Sequence, residues 1–396
     1  EDGVDGNPGD SGEKGDGEEK EGGTPGIGDI REGSGAKTEP IEITMQDALE
    51  NAFREASDGA PDTEFRSFST ACDLEVTRKG VFHLDGTKAT KGSKSYVKQI
   101  NRNSVADYAN LTKQMRGIIS TMKRKLERGL EDMMRRGRDD GKEYGSLDTR
   151  RLVQAYNRAP NVFWVPDEAP DMNTAVEVLI DMSGSMNGRK LGLAMLSAIC
   201  MAEAMNTIGV PFEVTGFFSD GSKDDWEFMD DKTKGYHRIE GETYFIFKSF
   251  KDSLRESKGN LASIINCSGR ENCDGVSVRW AGKRLIKRPE NKKVLMVLSD
   301  GYPAFSIGRG ADRNVAHQYL PDVVKGLSDT GMHVVGIGIC SEAVKKYYPS
   351  WVVLEDIEGL PGAVMSQVAK ILLGKRVVLD NSELMKSSSL GRRRVA

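Results

Sequence analysis

Short apolar segments alternate with helical ones from about residue 161 to residue 375, and this alternation constrains the fold more than any other feature. Helical stretches at 188–207, 276–287, 312–328 and 361–373 lie between most of the apolar segments. Near-continuous apolar strands separated by helices are typical of a mainly parallel sheet that is covered on both faces. We therefore predict an α/β fold with a doubly wound, mainly parallel sheet. Its predicted strands are Ala175–Asp181, Pro211–Phe218, Tyr244–Phe250, Lys293–Ser299, His333–Cys340 and Trp351–Leu354.

The composition changes along the chain and divides it into four segments. Residues 1–40 contain 12 Asp/Glu against 4 Lys/Arg, a net charge of −8, together with 12 of the 44 glycines. Such a segment cannot bury enough apolar surface to offset its ordering entropy, so we predict a disordered acidic, glycine-rich linker. Residues 41–160 are predicted to form a mostly helical basic region. Residues 161–375 form the α/β domain, and residues 376–396 are expected to be a flexible basic tail.

The basic region contains one conspicuous amphipathic stretch, predicted as a single helix over 104–136 with Ser104 as its N-cap. Nine Lys/Arg face three Asp/Glu between Lys113 and Arg138. We interpret this charge as a solvated helix face, with an acidic partner as the alternative. Nucleic acid is not expected, because no aromatic residues are interleaved for base stacking. A second short helix is predicted over 147–156, with Ser146 as its N-cap.

The whole-chain composition excludes several classes of protein. The 56 Lys/Arg and 60 Asp/Glu give a net charge of only −4, so no basic excess calls for nucleic acid. No apolar run approaches eighteen residues, so we expect no transmembrane helix and no membrane partner. Five cysteines spread over 396 residues do not form a disulfide framework, and we expect a cytoplasmic protein. Because the first residue is not Met, we expect a fragment or a processed product.

Polar residues follow the first buried strand at the point where a ligand site is expected in such sheets. Asp181, Ser183 and Ser185 alternate along an extended segment, so their side chains can point to one side. Gly184 allows a tight turn between the two serines. One carboxylate and two hydroxyls form an all-oxygen set, which suits a hard divalent cation, above all Mg²⁺.

A second strand supports the same site. The strand Lys293–Ser299 ends in Asp300-Gly301, which repeats the arrangement of an apolar strand followed by an acidic turn. An ordinary Asp-Gly turn is the alternative reading of this dipeptide alone. Taken with Asp181-x-Ser183-x-Ser185, however, we predict that Asp300 reaches the ion directly or through a water molecule.

These residues resemble the metal-ion-dependent adhesion site of the von Willebrand factor A domain. More closely, the chain over about 105–373 is similar to the CobT subunit of the aerobic cobaltochelatase, a family also found in large tailed phages. The stretches that carry the resemblance are Val178–Met186, Gly216-Phe217, Asn272–Gly275 with Trp280 and Arg284-Leu285, Arg288–Glu290, Val294–Gly301 with Pro303, and the basic helix followed by Ser146–Leu152.

The resemblance implies a further ligand. A threonine completes the site in most A domains, whereas the CobT pattern has Asp-Gly there and this chain has Asp274-Gly275. It thus implies a Mg²⁺ site held by Asp181, Ser183, Ser185, Asp274 and Asp300. Because the negative charge of three carboxylates exceeds the positive charge of one dication, an acidic ligand from a partner is expected to bind less favourably than at an adhesion-type site. The loop Gly301–Ser306 departs from the family pattern, since more acidic residues are expected there.

The resemblance also implies a function. It implies a non-catalytic, metal-dependent interaction subunit that docks a hexameric, CobS-like AAA+ ATPase ring, as an oligomer within a complex that can include a large chelatase subunit. That complex would insert Co²⁺ into a corrin ring, or remodel another client, at the expense of ATP. The sequence has no GxxxxGK[ST] phosphate loop, so ATP hydrolysis would come from the partner.

Two alternatives remain. One is a stand-alone metal-dependent binding or adhesion A domain. The other is a serine hydrolase, because Ser183 lies between a strand and a helix. The nucleophile elbow of such hydrolases needs glycines where Asp181 and Ser185 stand, which weighs against it.

Overall fold

A computed structural model describes residues 65–68, 70–89, 93–136, 138–166, 173–219 and 233–361. The strands are β1 Leu74–Thr77, β2 Gly80–His83, β3 Arg138–Lys142, β4 Ser146–Leu147, β5 Phe163–Pro166, β6 Thr174–Asp181, β7 Phe212–Ser219, β8 Glu242–Lys248, β9 Lys292–Ser299, β10 His333–Ile339 and β11 Ser350–Leu354. The α-helices are α1 Ser93–Ile100, α2 Val105–Gln114, α3 Arg116–Arg136, α4 Leu152–Tyr156, α5 Arg189–Ile208, α6 Leu254–Ala262, α7 Asp274–Ile286 and α8 Arg313–Asp329.

Eight of these strands form one mixed, mostly parallel sheet in the order β11-β10-β9-β6-β7-β8-β1-β2. The five strands from β11 to β7 run parallel to one another, β8 is antiparallel to β7, and β1 is parallel to β8. The predicted strands of the α/β domain are all present, within two residues of the expected ends. The predicted fold class is therefore confirmed.

Side chains on alternate positions of β6 enter two different cores, one on each face of the sheet. Val176, Val178 and Ile180 pack with α5 and with the helices that precede the domain. Ala175 and Leu179 pack with α7 and α8. Every residue of β6 is buried, because helices cover both faces. Full burial of each Val, Leu or Ile side chain contributes about 1.5–3 kcal/mol, so these two cores hold the sheet rigidly.

The sheet begins well before residue 161. β1 pairs with β8 and β2 pairs with β1, so residues 74–83 supply the last two strands on one edge. Helix α3 packs against α5, with Met122 fully buried and Lys123 Nζ 3.9 Å from Glu203 Oε2. The described part of the basic helix thus lies on the α/β core. The division of the chain into four segments stays a prediction.

The amphipathic stretch over 104–136 is two helices rather than the predicted single one. Ser104 does cap the first, in a reciprocal capping box with Asp107. The break falls at Met115, whose backbone leaves the helical region (φ −88°, ψ 9°) while its N–H still donates to Leu111 O. The apolar stripe continues across the break, which explains why periodicity alone did not reveal it. Gly117, a poor helix former, lies in the first turn of the second helix.

The predicted helix over 147–156 was also only partly right. Ser146 lies in strand β4, which pairs with β5 in a small three-stranded sheet. Asp148 is the capping residue instead, since its side chain accepts from Arg150 N ahead of a 3₁₀ turn and helix α4. Helix α6 was not predicted. Its Ser253–Glu256 capping box was the local signal that could have revealed it.

Among the described residues, one helix is long and apolar enough to cross a membrane, namely α5. Its most apolar window is 67% buried inside the protein, as in the central helix of a core. The predicted linker 1–40, helix 361–373 beyond residue 361, and tail 376–396 lie outside the described residues.

Candidate metal centre

The carboxyl ends of β6 and β9 lie side by side at the point where the sheet reverses its winding. From β6 the chain passes through α5 to β7 on one side, whereas β9 lies on the other side of β6. In open parallel sheets the crevice at such a switch point is the usual ligand position. Asp181 is the last residue of β6, and Asp300 follows the last residue of β9.

The loop after β6 turns its serine hydroxyls toward each other. Asp181 is fully buried, and its Oδ1 accepts a hydrogen bond of 2.8 Å from Ser183 N. Ser183 Oγ and Ser185 Oγ are 3.1 Å apart. Gly184 N donates to Arg270 O, and a Cβ at this position would lie 3.1 Å from the same carbonyl. This distance is shorter than most Cβ contacts, so glycine at position 184 favours the close approach of the two backbones.

The predicted third carboxylate lies beside the first. Asp274 opens helix α7 and is fully buried. The side-chain amide of Asn272 donates to Asp274 Oδ2 at 2.6 Å and to Asp181 Oδ2 at 3.2 Å. Asn272 Oδ1 accepts from Ala304 N at 3.1 Å, which fixes the orientation of the amide. Asn272 therefore ties the loop after β9 to both carboxylates.

Ser299, the last residue of β9, makes a second bridge between the same two carboxylates. Its hydroxyl lies 2.9 Å from Asp181 Oδ2 and 3.3 Å from Asp274 Oδ1, and it accepts from Gly301 N. A hydroxyl has one hydrogen, so it can donate a full hydrogen bond to only one of the two carboxylates at a time. Neither Ser299 nor Asn272 was among the predicted ligands, although both lie within stretches that carry the family resemblance.

Asp300 differs from the other two carboxylates because it has a cationic partner. Its side chain is only 6% exposed, and Oδ2 accepts a hydrogen bond of 3.0 Å from Lys190 Nζ. Its Oδ1 is buried and has no hydrogen-bond partner. An unpaired carboxylate oxygen in a buried position is costly, so this atom is suited to an additional ligand.

The electrostatics of the three carboxylates show that negative charge is crowded here. Burial raises the pKa of Asp181 to about 6, although hydrogen bonds from Ser183 oppose the shift. Burial and the charges of Asp181 and Asp300 raise the pKa of Asp274 well above its usual range. Both shifts mean that the protein's own groups do not fully balance the charge of these side chains.

The structure thus brings all five predicted residues to one end of the sheet, where Asp181 and Asp274 share two donors and the two serines touch. Within the described ranges, no three Asp, Glu, His or Cys side chains are arranged to hold a metal ion by themselves. A metal here would depend on the serine hydroxyls as well as the carboxylates. The five-residue ligand set remains a prediction that this donor chemistry fits.

The contacts of Ser183 do not resemble those of an activated nucleophile. Its hydroxyl lies next to Ser185 Oγ, and in the described part of the chain no histidine hydrogen-bonds to it. His237 Nδ1 instead accepts from Arg66 N, and His83 Nδ1 contacts Ala71 O. A general base within hydrogen-bond reach is what such a nucleophile needs.

The doubly wound sheet with an acidic, serine-containing loop at its switch point defines this chain as a von Willebrand factor A-type protein. The family model described as "Cobalamin biosynthesis protein CobT VWA domain" matches residues 162–374, which is more than half of the chain. The chain therefore belongs to the CobT VWA domain family, and the predicted resemblance is confirmed.

A curated relative is the uncharacterized protein YojO of Bacillus subtilis (strain 168), with 23% identity over 276 residues. The match covers 67% of this chain but only 40% of YojO, so the chain spans well under half the length of that relative.

Solved structures with partial similarity include two A-type domains. The von Willebrand factor type A protein from Catenulispora acidiphila has 14% identity and a TM-score of 0.29, covering 52% of this chain and 43% of that one. The vWF domain of the type V pili tip protein Mfa5 from Porphyromonas gingivalis has 10% identity and a TM-score of 0.33, covering 56% and 98%.

Proposed function

We propose that this chain is a metal-dependent interaction subunit whose site binds Mg²⁺ through Asp181, Ser183, Ser185, Asp274 and Asp300. The observation that carries the proposal is the buried, unpartnered Oδ1 of Asp300 at the same sheet end as four further oxygen-bearing side chains. An all-oxygen donor set of this kind is what Mg²⁺ prefers. When bound, the ion would offer a coordination position to an oxygen ligand of a partner.

The protein's own residues supply the rigidity that such a site needs. Asn272 and Ser299 hold Asp181 and Asp274 together, and the hydrogen bond from Gly184 N to Arg270 O anchors the loop that carries the two serines. Neighbours that orient ligating carboxylates commonly matter for metal affinity almost as much as the ligands themselves.

We further propose that the partner is a CobS-like AAA+ ATPase ring, in a cytoplasmic, cobaltochelatase-like or remodelling complex. Membership of the CobT VWA domain family supports this partner. The sequence also lacks a GxxxxGK[ST] loop, so ATP hydrolysis would belong to another subunit. In a chelatase, Co²⁺ would be substrate for a separate catalytic subunit and not the ion at this site.

Metal binding can be tested by calorimetric titration of the full chain with MgCl₂ and by thermal unfolding. Mg²⁺ at 100 times its dissociation constant should stabilise the protein by about 2.7 kcal/mol. Ser183→Ala should abolish that stabilisation while leaving the unfolding temperature in EDTA nearly unchanged. Ser350→Ala, an exposed serine on the edge strand, is the matched control and should behave as wild type. A wild-type protein without Mg²⁺-dependent stabilisation would contradict the proposal.

The partner can be tested by affinity capture from the source cells with the full chain as bait. We expect mass spectrometry to identify an AAA+ ATPase in Mg²⁺ but not in EDTA, and not with the Ser183→Ala bait. Recovery of the ATPase equally in EDTA would refute metal-dependent docking. Mg²⁺ binding without any ATPase would favour a stand-alone metal-dependent binding domain instead.

A further inference from the structure

The first turn of helix α5 contains a local conflict. Its first two residues are Arg189 and Lys190, it has no acidic residue in that turn, and no side chain caps its N-terminus. Cations at a helix N-terminus oppose the helix dipole, so two of them cost stability unless a nearby anion offsets them. An anion that offsets Arg189 or Lys190 therefore has to come from outside the helix.

The anion that pairs with Lys190 comes from the turn that follows β9. Lys190 Nζ lies 3.0 Å from Oδ2 of Asp300, 110 positions further along the chain. The lysine side chain is 33% exposed, whereas that of Asp300 is 6% exposed. Among the described residues, Lys190 is the one cation that forms an ion pair with any of the three site carboxylates.

The two oxygens of Asp300 are in different situations. Oδ2 is held by Lys190, while Oδ1 is buried and accepts no hydrogen bond. An ammonium and a metal ion can therefore each take one oxygen of the same carboxylate without competing for it. A charge-assisted hydrogen bond on Oδ2 also restricts rotation of the carboxylate, which keeps Oδ1 in one place.

We propose that Lys190 is a positioning residue of the metal site, which orients Asp300 through Oδ2 and leaves Oδ1 for the ion. This inference rests on the proposed Mg²⁺ site. It assigns to Lys190 a role that no ligand pattern in the sequence contains.

Lys190 also changes the charge balance of the site. Metal binding requires the ligating carboxylates to be ionised. Three ionised carboxylates, one ammonium and one dication together carry no net charge. The excess charge that the extra carboxylate Asp274 brings is thus offset by Lys190. With Lys190 in place the site would thus carry no excess negative charge, and an acidic ligand from a partner would meet less repulsion than the three carboxylates alone imply.

The test is calorimetric titration of MgCl₂ into the full chain for wild type, Lys190→Met and Lys190→Arg. Loss of a group that orients a metal ligand typically lowers affinity about 10- to 100-fold, so we expect a loss of that size for Lys190→Met. Lys190→Arg retains the charge and should recover part of the affinity. Lys325→Met, which removes an exposed lysine of α8, should bind as wild type. Circular dichroism of each variant in EDTA verifies that the fold is retained.

The outcomes distinguish a failure of the role of Lys190 from a failure of the proposed Mg²⁺ site. Wild type that binds Mg²⁺, with Lys190→Met weaker and Lys190→Arg between the two, supports the inference. Equal affinity of wild type and Lys190→Met overturns the inference and leaves the metal site standing. Tighter binding by Lys190→Met also overturns it, because the lysine would then compete with the ion for Asp300. No binding by wild type or any variant overturns both.

Discussion

A buried ion pair ties the two strands at the edge of the sheet to the rest of the domain. Arg238, which precedes β8, and Asp73, which precedes β1, are 0% and 1% exposed. Their hydrogen bonds are two-pronged, with Nη1–Oδ1 at 3.0 Å and Nη2–Oδ2 at 3.1 Å. Asp73 Oδ1 also accepts from Glu242 N at 2.9 Å. The pair thus connects the entry of β1 to the entry of β8.

We predict that Arg238→Met lowers the free energy of unfolding by about 3–5 kcal/mol, since it leaves the Asp73 carboxylate buried without its cation. The double variant Asp73→Leu/Arg238→Met removes both charges and should recover a large part of that loss. Arg78→Met is the control. Its partner Asp252 lies 3.5 Å away and both side chains are 32% exposed, so the loss should stay within about 1 kcal/mol.

Urea unfolding of the full chain at pH 7, monitored by circular dichroism, gives these free energies from the transition midpoint and slope. A loss below about 1 kcal/mol for Arg238→Met would refute the argument that the pair is desolvated. A double variant as unstable as the sum of the two single variants would show that Asp73 and Arg238 do not interact. Either result would leave the pairing of β1 with β8 as the main contact that joins residues 74–83 to the domain.

Three further predictions follow from buried or strained positions. Burial raises the pKa of Glu242 to about 8, so between about pH 5 and 8 the folded protein holds a proton that the unfolded chain releases. In this window Glu242 should make stability fall with rising pH, by up to about 1.4 kcal/mol per pH unit, and Glu242→Gln should remove this contribution to the slope in urea unfolding. Gly301→Ala should cost about 2–5 kcal/mol in thermal unfolding, because φ is +81° and the new Cβ would meet a backbone nitrogen at 2.7 Å. Gly310→Ala, with φ +76° and open space, should show the smaller strain cost alone. In a thiol assay with a disulfide reagent, Cys72 and Cys340 should react quickly and the three buried cysteines only on unfolding, whereas five equal rates would contradict the burial pattern.

The strands of the α/β domain and the acidic ends of two of them were predictable because their signals are local. An unbroken apolar run such as Val294–Leu298 can only be a strand buried on both faces or a core helix, and its length favours the strand. The acidic turns after β6 and β9 follow directly from residues next to each other in sequence. The predicted site residues Asp181, Ser183, Ser185 and Asp300 came from this adjacency alone.

Other parts of the fold could not be predicted from the sequence, and the reasons for this are also physical. The break at Met115 leaves the apolar stripe continuous, so periodicity cannot show it. The pairing of β1 with β8 joins residues about 170 positions apart. Four-residue strands carry too few alternating side chains to indicate a partner, and their place on the sheet edge is decided by the sheet that is already formed. Asp274 was reached only through the family resemblance.

The sequence alone determined the class of fold, the all-oxygen character of the candidate site and its place at strand ends, because these depend on apolar period and turn chemistry over a few residues. Only the tertiary structure decided which side chains complete the site. In sequence, Asn272 is 91 residues and Ser299 is 118 residues from Asp181, to which each donates a hydrogen bond. Lys190 is 110 residues from Asp300, which accepts its hydrogen bond. Such long-range contacts depend on packing, because packing determines which groups a flexible side chain can reach. They also depend on burial, because burial determines how strongly a partner stabilises a charged group.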